Sequence, residues 1–136
     1  MADPAPKQKL IRHLSNFEVN DWSPVREGDD VDGPELTLML DDAQGLTAAT
    51  IARTEAAQEK TRAELAAAEA KVAEHDATRP ASSAPKHVTK YAGKVRRFLV
   101  ERCEPLRAKL AATEKSLALA ARYLAELQAL RNAASL

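Results

Sequence analysis

One interruption limits the folds open to this chain more than any other feature. Arg79-Pro-Ala-Ser-Ser-Ala-Pro-Lys86 separates two long Ala/Leu-rich, charge-laced segments, 47–78 and 87–134. Both are built from strong helix formers, and two helices joined by so short a polar loop fold back on each other as antiparallel neighbours. The expected fold class is therefore all-α: an antiparallel two-helix hairpin, coiled-coil-like, with a partly extended N-terminal arm and one short extra helix.

The chain has 136 residues and 45% apolar side chains, but only two Phe, two Tyr and one Trp. Because much of the apolar content is alanine, the core is predicted to be thin and the molecule elongated. No apolar run approaches the ~20 residues that span a bilayer, and Met1-Ala-Asp-Pro-Ala-Pro6 lacks the basic and apolar regions of a secretion signal. A single cysteine, Cys103, cannot form an internal disulfide. These features predict an intracellular, soluble protein in a reducing, cytoplasmic compartment, with no membrane partner.

A formal net charge of zero hides a gradient. Residues 1–78 carry eight Lys/Arg against sixteen Asp/Glu, and residues 79–136 carry twelve against four. Either the acidic first helix pairs with the basic second one inside the hairpin, or one of these faces meets a charged partner. Folding about residues 82–83 places Glu74 near Lys90 and Lys94, and Glu69 near Arg96 and Arg97. Such exposed pairs select register more than they hold a fold.

Residues 1–35 read as an arm, mostly extended, with a short helix near 7–14 that aligns Leu10, Ile11 and Leu14. Its acidic, Pro- and Gly-punctuated stretch offers Phe17, Val19, Trp22 and Val25 as separate apolar pegs, a pattern that orders only on a surface. The helical part is 36–136. Asp32-Gly-Pro-Glu35 is a helix-start signature with Asp32 as N-cap. A short helix over 33–44, with Leu36, Met39 and Leu40 on one face, is preferred to a lone strand over 36–40. Gly45 serves as its C-cap, although a helix continuing through it at a cost of ~1 kcal/mol is the alternative.

The first long helix, 47–78, has a weak seam: Ile51, Leu65 and Val72 are interrupted by Gln58, and beside them run Thr54, Thr61 and Ala68. The second, 87–134, is better specified. Val88, Tyr91, Val95, Phe98, Leu99, Cys103, Leu106 and Leu110 form its apolar face, and an eleven-residue spacing keeps that stripe nearly straight. Pro105 predicts a kink within a single helix.

On this register the second helix outruns the first by about four turns. Leu117, Leu119, Tyr123, Leu124, Leu127 and Leu130 are then left as an apolar ledge, covered either by the N-terminal residues or by another chain. The predicted contact residues are Phe17, Trp22, Tyr123, Leu124, Leu127 and Leu130. Lys86, Lys90, Lys94, Arg96 and Arg97 concentrate cations where a helix macrodipole disfavours them, a candidate face for an anion or nucleic acid. His75 and His87, with Asp76, lack the spacing of a metal site. No catalytic triad, metal site or cofactor is predicted. The expected function is a non-enzymatic structural or adaptor subunit that binds other protein subunits in a larger assembly. A homo-oligomer is a further possibility for its partners, and a small nucleic-acid-associated protein is the alternative function.

Overall fold

A computed structural model describes residues 5–16 and 23–136. These residues form three α-helices and no strand: α1 (Pro6–Leu14), α2 (Gly33–Ala77) and α3 (Lys86–Ala133). None is long and apolar enough to cross a membrane. The described residues divide into two compact units, and each of the two long helices contributes to both.

The first unit comprises residues 1–55 and 115–136. α1 starts at Pro6, whose fixed φ suits a first helical position, and buries Leu10, Ile11 and Leu14. α2 starts after Asp32, whose carboxylate Oδ1 accepts the Glu35 amide at 2.8 Å, the predicted N-cap. Leu36, Leu40 and Ala43 follow at helical spacing and are fully buried. With Val25 and Val31 from the preceding loop and Tyr123 and Leu127 from α3, they form one core, against which Met39, Leu130 and Ala134 pack. Full burial of each such leucine stabilises by about 1.5–3 kcal/mol, so this small cluster dominates the unit.

The short helix over 33–44 does not end at Gly45. α2 runs unbroken for 45 residues through it, and Thr47, instead of capping a new helix, donates its hydroxyl to the Ala43 carbonyl at 2.7 Å. Leu40, Ala43 and Thr47 share one buried face across the glycine, and that continuity outweighs the ~1 kcal/mol an interior glycine costs. α3 is likewise one helix of 48 residues containing Pro105.

Of the two covers left open for the apolar ledge, the chain's own N-terminal residues are the one observed. With α2 extending back to Gly33, its early turns lie beside the end of α3: Arg131 Nη1 donates to Asp41 Oδ1 at 2.9 Å and to Gln44 Oε1 at 2.6 Å, and Gln44 reaches Gln128 at 2.7 Å. Tyr123 is 3% and Leu127 0% exposed. The cover comes from this chain's own leading residues, and Val25, assigned to an arm that orders on another surface, lies in the same core.

The second unit, residues 56–114, is two antiparallel helical stretches and the loop between them. Its buried side chains are Gln58, Thr61 and Cys103, while Leu65, Val72, Val95, Leu99, Leu106 and Leu110 are half-buried. The weak seam anticipated for the first long helix is what forms. The charge pairs differ from expectation: Asp76 binds Arg96 at 2.9 Å and Glu69 approaches Arg107 at 3.6 Å. The chain does turn at 82–83, where the Ala84 amide donates to the Ala81 carbonyl at 2.9 Å, but the pairs that form lie several residues off the register expected from that turn.

Candidate interaction surface

The first turns of α3 point two kinds of group at solvent. Tyr91 and Phe98, seven residues apart and so on one side of the helix, are 70% and 59% exposed. Both were expected on the apolar face that packs against α2. That face is instead the stripe of Val95, Leu99, Leu106 and Leu110, and at about 100° per residue Tyr91 and Phe98 fall roughly 70–90° round the helix from its centre. Their position on the flank was readable from that angular offset. Arg102 lies over the Phe98 ring, with its guanidinium carbon 5.8 Å from the ring centre, a favourable cation–π distance.

Around the aromatics stand Lys86, Lys90, Lys94 and Arg97, all exposed. Among the described residues no ion pair engages any of them, whereas the remaining member of the predicted cationic set, Arg96, is bound to Asp76. Glu74 forms no ion pair with Lys90 or Lys94 among the described residues, so the positive charge here is not balanced across the helix pair. Beside the aromatics, Ala67 and Ala68 of α2 and Leu99, Arg102 and Leu106 of α3 line a groove of about 520 Å³. Its small α2 side chains allow a third element to approach closely.

A second hollow, about 460 Å³, sits at the interhelical loop between His75, Asp76, Arg79, Thr89 and Arg96. Its polar groups are largely engaged. Asp76 takes two bonds from Arg96, at 2.9 and 3.5 Å, and His75 Nε2 donates to the Ala92 carbonyl at 3.0 Å. The hydrogen bond from Arg96 holds the Asp76 carboxyl below its ordinary range, helped by the charges of Arg96, Arg79 and His75 and opposed by slight desolvation. Among the described residues no group of three or more His, Cys, Asp or Glu is placed to hold a metal ion.

The other predicted contact residues separate into three groups. Phe17 and Trp22 lie outside the described residues. Tyr123 and Leu127 are core, and Leu124 and Leu130 are half-buried, with Leu130 packed on that core. Cys103, read as a buried small hydrophobe, is 1% exposed and sends its thiol toward the Leu99 carbonyl at 3.6 Å. No family model matches this chain, and no curated protein or solved structure matches it either.

Proposed function

We propose that this chain is a non-enzymatic structural or adaptor subunit whose helix pair presents the Tyr91–Arg102 side of α3 to another protein. The observation that carries this reading is the exposure of two large aromatics on a unit with only three buried side chains among the described residues. A helix pair that thin gains stability by docking its exposed flank on a neighbour, and aromatic and arginine side chains supply much of the energy of such contacts. His75 and Asp76, the residues nearest to a catalytic pair, are committed to the Ala92 carbonyl and Arg96.

The test is affinity isolation of the tagged full chain from its native source, beside a Tyr91→Ser/Phe98→Ser variant. A protein recovered in stoichiometric amount with the wild type and lost with the variant supports the reading. Recovery of the chain alone sinks it.

The unpaired Lys86, Lys90, Lys94 and Arg97 next to Tyr91 and Phe98 favour nucleic-acid binding as the second reading, since stacking rings beside cations suit single strands. Electrophoretic mobility over a salt series decides it: binding that weakens steeply with salt supports it, and none at low salt removes it.

A further inference from the structure

The outward face of α2 in the first unit carries a pattern that mirrors the exposed stripe of α3. Glu35, Leu38, Asp42 and Leu46 step by three, four and four residues, so they fall on one side of the helix. All four are exposed, Leu38 at 66% and Leu46 at 44%. Two leucines turned to solvent and alternating with two carboxylates have no role in their own core, which uses another face through Leu36, Leu40 and Ala43. Among the described residues neither Glu35 nor Asp42 forms an ion pair, although their neighbour Asp41 is bound to Arg131.

Tyr91, Lys94, Phe98 and Arg102 also step by three, four and four. One stripe alternates acid and leucine, the other aromatic and cation. Laid antiparallel, they match position for position: Leu46 on Tyr91, Asp42 beside Lys94, Leu38 on Phe98, and Glu35 beside Arg102. At 1.5 Å rise per residue the four levels agree to within about 1.5 Å over a span of about 16 Å. Antiparallel helices also set their macrodipoles favourably.

We infer that the occupant of the Tyr91–Arg102 surface is the Glu35–Leu46 face of a second copy of this chain. The contact joins two different patches, so it is heterologous and either closes into a ring or propagates. Each contact places two leucines on two aromatic rings and sets two carboxylates against two cations, while Phe98 retains the Arg102 guanidinium over its face. The inference rests on the reading of Tyr91 and Phe98 as a contact surface, and it requires no foreign partner.

Sedimentation velocity on the purified full chain tests it, at salt concentrations of about 0.02 M and about 0.5 M, on either side of a ~10 Å screening length. The expected result is concentration-dependent association at low salt that weakens at least about tenfold at high salt. Lys94→Glu/Arg102→Glu and Glu35→Lys/Asp42→Lys change exposed positions only, and circular dichroism should show both variants as helical as the wild type. Each alone is expected to be monomeric, and an equimolar mixture of the two is expected to associate again, because the unaltered faces of the two variants pair as in the wild type and their altered faces pair with reversed sign. A single-pair mixture, Asp42→Lys with Lys94→Glu, should associate more tightly than Asp42→Lys with Arg102→Glu, which reports the antiparallel register. A wild type that stays monomeric at low salt overturns the inference, as does association that neither variant disturbs or a mixture that stays monomeric. A monomer that still retains a foreign protein through Tyr91 and Phe98 overturns the second-copy assignment alone and leaves the subunit reading standing.

Discussion

His13 lies flat against Tyr123, ring centres 4.3 Å apart and planes 17° from parallel, and its Nε2 donates to the Tyr123 carbonyl at 2.9 Å. Two residues 110 positions apart thus tie the nine-residue α1 to the last third of α3. The bond fixes a proton on Nε2 and turns Nδ1 toward Glu126, whose Oε2 is 3.8 Å away. A helix this short is marginal alone in water, so its order depends on these contacts and on Leu10, Ile11 and Leu14.

His13→Ala removes the stack and the hydrogen bond together. The expected loss is about 1–3 kcal/mol of unfolding free energy. Arg12→Ala, which breaks only an exposed pair with Glu27, is expected to cost less than about 1 kcal/mol. Urea denaturation of both variants measures the difference, and equal effects would contradict the role given to His13.

The leucines of α3 sort by the core that covers them. Leu127, fully buried among Leu10, Leu36 and Leu40, is expected to cost about 2–5 kcal/mol when changed to Ala. Leu119→Ala, at a position 43% exposed, should stay within about 0.5 kcal/mol of wild type. Thermal unfolding followed by circular dichroism separates the two, and similar melting points would mean that the end of α3 is not covered as described.

The long helices, the Asp32 cap, the 79–86 interruption and the weakness of the Gln58/Thr61 seam were all legible, because each follows from local spacing or a single cap. Which of the two open covers, the chain's own N-terminal residues or another chain, seals Tyr123 and Leu127 was not. It depends on α2 continuing through Gly45 and on three apolar residues of α1 reaching a helix more than a hundred positions away, and nothing local to either segment encodes that meeting. The same limit affected the charge pairs. Glu69 and Glu74 were assigned partners from a register set at 82–83, and although the chain turns there, Glu69 pairs with Arg107, further along α3. Tyr91 and Phe98 were misassigned for a subtler reason: their seven-residue spacing resembles a core repeat, and only their angular offset from the stripe of Val95, Leu99, Leu106 and Leu110 shows which side faces α2.

Asp76 makes the interhelical turn sensitive to acid. Its carboxyl is held below the ordinary range by the Arg96 hydrogen bond, so the pairing contributes fully above the unfolded carboxylate value of about 3.9. That contribution is lost as pH falls through the lowered folded value. Amide protection factors around residues 75–96, measured against the intrinsic rate at each pH, are expected to fall in this acidic window in the wild type. Asp76→Asn should exchange faster already at neutral pH and show a smaller further change on acidification. A variant that keeps the full acid response would assign it to another carboxylate.

Gly45 offers the most direct test of the continuous helix. It is exposed within α2, with no atom within 4 Å of where a Cβ would stand, and its φ is not in the left-handed region. An αL cap ending a helix at this point would need positive φ, and alanine there would be strained. In an unbroken helix the same change adds helix propensity and narrows the unfolded ensemble. Gly45→Ala is therefore expected to stabilise the chain by about 0.4–1 kcal/mol. A rise in the urea midpoint with unchanged slope supports one helix from Gly33 to Ala77. Destabilisation by a similar amount would show that a break at Gly45 is part of the fold, and it would reopen the question of what covers Leu127.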